Sequence, residues 1–151
     1  MRLYLRLAAR YRPKDGHFGD PPYHRRLRLH RCQGLDEAAR VCLTHSFPVK
    51  DIEADIAKKD ITAEQYDFIK SFLDSIEYDD LDRLIILCDA LADAKGFCIL
   101  EKRFVDTTRR YGICPFTVDR WNKTFEYKEY FEAKAGCSVY SLLPGIEKCI
   151  Y

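Results

Sequence analysis

The 151-residue chain has no apolar run approaching the ~20 residues that a membrane-crossing helix requires, and its amino terminus lacks the uninterrupted apolar stretch of a signal peptide. Such a chain is expected to stay in the cytoplasm and to make no membrane contact. No Gly-rich phosphate loop, G-x-S-x-G elbow or H-E-x-x-H pair occurs, which excludes the commonest nucleotide, serine-hydrolase and zincin sites readable from sequence. Net charge is only +1, so a general attraction for nucleic acid is not expected. The seven cysteines include no C-x-x-C pair and are odd in number; they read as reduced, mostly buried thiols and not as a disulfide framework. Histidine is scarce, and three of the four lie within the first 32 residues.

What is present divides unevenly. Residues 1–33 form a basic segment, rich in arginine, with Pro13, Pro21 and Pro22 breaking it and only Asp15 and Asp20 opposing the charge. It reads as a poorly ordered or atypical tail, or as an arm for an anionic partner. Residues 34–151 carry helical periodicity throughout and are long enough to enclose a core. An acidic first turn at Asp36 and Glu37 precedes Ala38, Val41, Cys42 and His45 on one helical face. Thr62 and Gln65 form a capping-box pattern ahead of Tyr66, Ile69, Phe72, Leu73 and Ile76. Further helices are expected from about residue 98 to 111, ended by Gly112, and from 115 to 135, ended by Gly136. The fold class is therefore all-α, a compact bundle of about five to six helices. Tyr127, Tyr130, Phe131 and Tyr140 read either as core and rim aromatics or as a surface through which a homodimer could form.

The organising stretch is 81–95, in which Leu84, Ile85, Cys88, Leu91 and Ala92 recur at helical spacing. Asp79 and Asp80 are expected to open this helix and Gly96 to close it. Asp89 lies among apolar neighbours. If enclosed there, its carboxylate needs a cation, a strong donor or a proton, because burying an unpaired charge costs several kcal/mol; otherwise it lies on a gap in the apolar surface. His45 and Asp89 together offer imidazole and carboxylate, a ligand mix suited to manganese, iron or zinc in a helical bundle. Asp93 and Lys95 are candidates for contacting a substrate phosphate, or are simply solvated. No catalytic residue is assigned.

Three passages carry a resemblance: A-A-R-V-C-L-T-H-S-F-P at 38–48, L-I-I-L-C-D-A-L-A-D at 84–93 and G-F-C-I-L-E-K-R-F at 96–104. From about residue 35 onward the chain resembles the carboxy-terminal half of an HD-domain protein of the metal-dependent phosphohydrolase superfamily. The resemblance implies an all-helical fold holding one or two divalent metals, with Asp89 in the place of the family's final aspartate and His45 in that of an intervening histidine. It further implies metal-activated water attacking a phosphate ester or nucleotide. The family's adjacent His-Asp pair is missing from this sequence. The domain is thus HD-like but incomplete: a divalent metal is expected to bind weakly or not at all, and activity to be weak or absent. A truncated or frame-shifted reading of a longer gene would account for the dissimilar first segment. The alternative is a non-catalytic helical module that binds a small phosphorylated molecule or serves regulation or interaction.

Overall fold

Polar side chains at helix starts and glycines at helix ends set the boundaries of the fold. The computed structural model describes residues 36–54, 62–94 and 96–149, with side chains from Arg40 onward. The expectations for the basic segment 1–33, for Ala38 on the first helical face and for Lys95 lie outside the described residues. Among the described residues there are five α-helices, three short 3-10 turns and a hairpin of two residues per strand, so the all-helical expectation holds.

Helix α1 (Asp36–Thr44) leads into a 3-10 turn at Ile52–Ala54. Helix α2 (Ala63–Ser75) begins at the expected capping box, in which the Gln65 amide N–H donates to Thr62 Oγ1 at 3.3 Å and the Thr62 N–H to Gln65 Oε1 at 3.0 Å. Two donors that the first helical turn would leave unsatisfied are thereby paired. Helix α3 (Asp80–Ala90) uses the same device: Asp79 Oδ1 accepts from the N–H groups of Leu81 and Asp82, and Asp82 Oδ2 accepts from the Asp79 N–H. The two further helices are α4 (Leu100–Tyr111), stopping at Gly112, and α5 (Thr117–Ala135), stopping at Gly136. Gly136 adopts φ 69°, a left-handed cap that favours glycine.

Helix α3 packs against both α1 and α5. Its consecutive residues Ile86 and Leu87 enter different apolar clusters. Ile86 joins Phe47, Ile52, Leu73, Tyr78 and Tyr127, with Tyr66, Ile69 and Ile76 against them. Leu87 joins Leu91, Leu100 and Val139, with Phe104 and Phe125 among its partners. Each such side chain, fully buried, is worth about 1.5–3 kcal/mol of transfer free energy, so this one helix ties both clusters together.

Several expectations for this region are corrected. The inward face of α3 is Asp82, Ile86 and Leu87, not Leu84, Ile85 and Cys88; Leu84 is 40% exposed, and Cys88 is exposed. The helix does not run to Gly96. It ends at Ala90, after which Ala92–Asp93 (β1) pairs antiparallel with Gly96–Phe97 (β2), and the Cys98 N–H donates to the Leu91 carbonyl at 2.8 Å. Gly96 has φ 132°, a backbone state that β-branched and bulky residues avoid, so it serves the hairpin and not a helix cap. The reading of the aromatics as core and rim residues holds, with Tyr127 buried and Tyr130, Phe131 and Tyr140 half-buried. Among the described residues no helix is long and apolar enough to cross a membrane.

Candidate functional site

His45 follows the last turn of α1, where its Nδ1–H donates to the Cys42 carbonyl at 3.0 Å and its Nε2 lies 3.3 Å from Ser46 Oγ. Both ring nitrogens therefore have protein partners at a helix C-terminus. Of the two readings of Asp89, the exposed one on a gap in the apolar surface is the one seen: it falls on the outer side of α3 because Ile86 and Leu87 take the inner one. Asp93 is not one helical turn beyond Asp89 but sits on β1, 3.7 Å from Arg103 Nη1. Among the described residues, no three His, Cys, Asp or Glu side chains come together as a metal would require.

The enclosed carboxylate of α3 is Asp82, with no exposed surface. Its Oδ1 accepts from Thr44 Oγ1 at 2.9 Å, and Arg40 Nη2 lies 3.2 Å from its Oδ2. Arg40 also pairs with Asp79. The requirement of a buried carboxylate, a cation, a strong donor or a proton, is met here by a cation and a donor, but about two turns earlier in the helix. A usable signal was there: D-x-x-D at 79–82 opens the helix, and Arg40 and Thr44 are four apart on one face of α1.

Arg40 beside Asp79, followed by the backbone N–H of Asp82, holds the Asp79 carboxyl down at about 2. A folded value below the unfolded one means that the ionised form favours the fold. This contribution is complete above about pH 4, the unfolded carboxylate range, and is lost as pH falls through about 2. Asp79→Asn keeps a capping oxygen and removes the charge. Urea titrations of that variant should show a shallower loss of stability between about pH 4 and pH 2 than the parent shows; equal slopes would mean that the charge of Asp79 is immaterial.

No family model, curated protein or solved structure matches the chain. Its chemistry must therefore be read from its own surface. The feature of most consequence is a cleft of about 750 Å³ between the loop after α1, the start of α3 and the middle of α5. Three tyrosines and three cations face it: Tyr78, Tyr127 and Tyr130 with Lys50, Arg83 and Lys123. Each ring has a cation near it, Lys50 at 6.0 Å from the Tyr78 centroid, Lys123 at 5.8 Å from Tyr127 and Arg83 at 5.5 Å from Tyr130.

The tyrosine hydroxyls also build the wall. Tyr78 donates to the Phe47 carbonyl at 2.8 Å and Tyr127 to the Pro48 carbonyl at 3.0 Å, which fixes the loop that carries Lys50. Burial raises the Tyr78 phenol well above its usual value and pushes Tyr127 up to about 12. Both are neutral donors at ordinary pH and neither is a base. On the rim, Tyr130 donates to Asp80 Oδ1 at 2.7 Å, and Lys134, which bonds Asp80 Oδ2 at 2.5 Å, lies 4.5 Å from the Tyr130 centroid. The Lys134 ammonium, then the Tyr130 hydroxyl, holds the Asp80 carboxyl below its ordinary range.

Carboxylates line the cleft too. Glu77 pairs with Lys50 at 3.0 Å and Glu126 with Lys123 at 2.6 Å, but the side chains of Glu77 and Glu126 are 96% and 58% exposed. Ion pairs this open contribute roughly 0–1 kcal/mol. An anion with two charges can displace them, and the Arg83 contact with Asp80, at 3.4 Å, is long for an ion pair. The sequence did not reveal this site because its residues come from separate segments, none of which forms a motif alone.

Proposed function

We propose that this chain is a helical ligand-binding module, HD-like by resemblance, that takes a small phosphorylated molecule in the cleft without catalysing its hydrolysis. The observation that supports this reading is the convergence of Lys50, Arg83 and Lys123 beside the rings of Tyr78, Tyr127 and Tyr130. A phosphate group satisfies planar guanidinium geometry through two parallel hydrogen bonds, and an aromatic or sugar ring attached to it lies against tyrosine faces. Hydrogen bonds to charged groups are worth about 1.5–3 kcal/mol, enough to make Arg83 the residue on which affinity turns.

Phenyl phosphate serves as the probe, with phenol and inorganic phosphate as its two halves. Calorimetric titration of the full chain should show phenyl phosphate binding more tightly than either half, and Arg83→Gln should weaken it by about tenfold or more. Undiminished binding by Arg83→Gln would reject the cleft. The same solutions with added manganese test the hydrolase implied by the resemblance: turnover of phenyl phosphate that disappears in both His45→Ala and Asp89→Ala would replace the binding-module reading with a metal-dependent one.

A further inference from the structure

Two exposed faces of the molecule carry opposite charge, each beside apolar side chains. The first is the tip where α4 passes into α5. Ile113 is 80% exposed, Tyr111 59%, Val118 55% and Val105 54%. The turn between Ile113 and Val118 is closed by Thr117 N–H donating to the Cys114 carbonyl at 3.1 Å and Cys114 N–H donating to Thr117 Oγ1 at 2.9 Å. Arg109 and Arg110 stand at the same tip, both exposed; among the described residues neither guanidinium has a hydrogen bond or ion pair, though both help Lys102, the main cause, to hold the Asp106 carboxyl below its ordinary range. Val105 and Arg109 are one helical turn apart and so share a face.

The second face is the outer side of α3, where Leu81 and Leu84 are 37% and 40% exposed and Cys88 follows at helical spacing. Asp89 adjoins them, exposed, and among the described residues its carboxylate has no hydrogen bond or ion pair. The two faces cannot meet within one molecule. Asp89 is two residues before Leu91, whose carbonyl bonds Cys98 just ahead of α4, whereas the arginines are at the other end of that helix. The 12 residues of α4 separate them by about 18 Å at 1.5 Å per residue.

We infer that a second copy of this chain covers each face: the Arg109–Arg110 tip, with Ile113, docks on the Leu81–Leu84–Asp89 face of its neighbour. Exposed charges of opposite sign set the register, and the apolar side chains beside them are removed from water. The contact is heterologous, joining different patches on the two molecules, so association continues head to tail until rotation closes a ring.

Sedimentation equilibrium of the full chain at low salt should show average mass rising above that of the monomer as concentration increases. Raising salt from about 0.05 M to about 0.5 M should weaken association severalfold, since the screening length contracts from more than 10 Å to a few ångströms. Arg109→Glu with Arg110→Glu in one chain, and Asp89→Arg in another, should each weaken it by about tenfold or more, because like charges then face each other. Mixing those two variants restores complementary pairs and should restore association. All three positions are exposed, and circular dichroism of each variant checks that folding is kept. A parent chain that stays monomeric at all concentrations, or a mixture no more associated than its components, overturns the inference.

Discussion

Asp82→Ala is expected to lower the unfolding free energy by about 3–5 kcal/mol, the cost of removing one partner of a buried pair. Asp82 has no exposed surface, and its loss strips Thr44 Oγ1 of its acceptor and leaves Arg40 only its exposed-side carboxylate, Asp79, from this cluster. It also removes the half of the capping box that serves the Asp79 N–H. Asp89→Ala should change stability by no more than about 0.5 kcal/mol, as for other exposed side chains that make no contact. For a chain of this size the first variant should lose about 6–20 °C in melting temperature and the second almost nothing. Equal melting temperatures for the two would place the enclosed carboxylate elsewhere.

The second large effect concerns the rotational phase of α3. Leu87 is 1% exposed and Leu84 40%. Truncating a buried leucine removes its transfer free energy and leaves a cavity, for a total of about 2–5 kcal/mol. Leu87→Ala should reach the upper part of that range, because its neighbours Leu91, Leu100 and Val139 come from the turn after α3, from α4 and from the 3-10 turn at Val139–Leu142, which cannot all close inward. Leu84→Ala should cost under about 1 kcal/mol. Urea denaturation of both variants decides the matter, and a larger loss for Leu84→Ala would turn the helix by about a sixth of a revolution.

That phase was the main error in reading the sequence, and its physical cause is plain. In L-I-I-L-C at 84–88 every residue is apolar, so periodicity cannot distinguish one face from another. What fixes the face lies outside the run. Asp82 must reach Arg40 and Thr44 on another helix, and once it points inward Ile86 follows four residues later. The premature end of α3 has a similar origin: A-L-A-D-A-K favours helix, but the Leu91–Cys98 bond and the glycine at 96 favour a hairpin, and tertiary pairing outweighs propensity. By contrast, the capping box at Thr62, the helix start at Asp79 and the stop at Gly136 were legible, because their determinants lie within a few residues of one another. The HD-type resemblance drew attention to His45 and Asp89. The cleft escaped notice, since spacing along a chain carries no record of tyrosines and lysines that only folding assembles.

The paired bonds from Tyr78 to the Phe47 carbonyl and from Tyr127 to the Pro48 carbonyl have a consequence for the thermodynamics of occupancy. Ordering a flexible loop on association subtracts from affinity, since each immobilised residue surrenders backbone freedom worth on the order of 1–2 kcal/mol. Here two phenols, Tyr78 from the segment just ahead of α3 and Tyr127 from α5, restrain that loop as part of folding, and the entropy is already lost when the cleft is empty. Lys50 is therefore presented on a rigid support, and what a bound molecule must still immobilise is confined to the side chains that touch it.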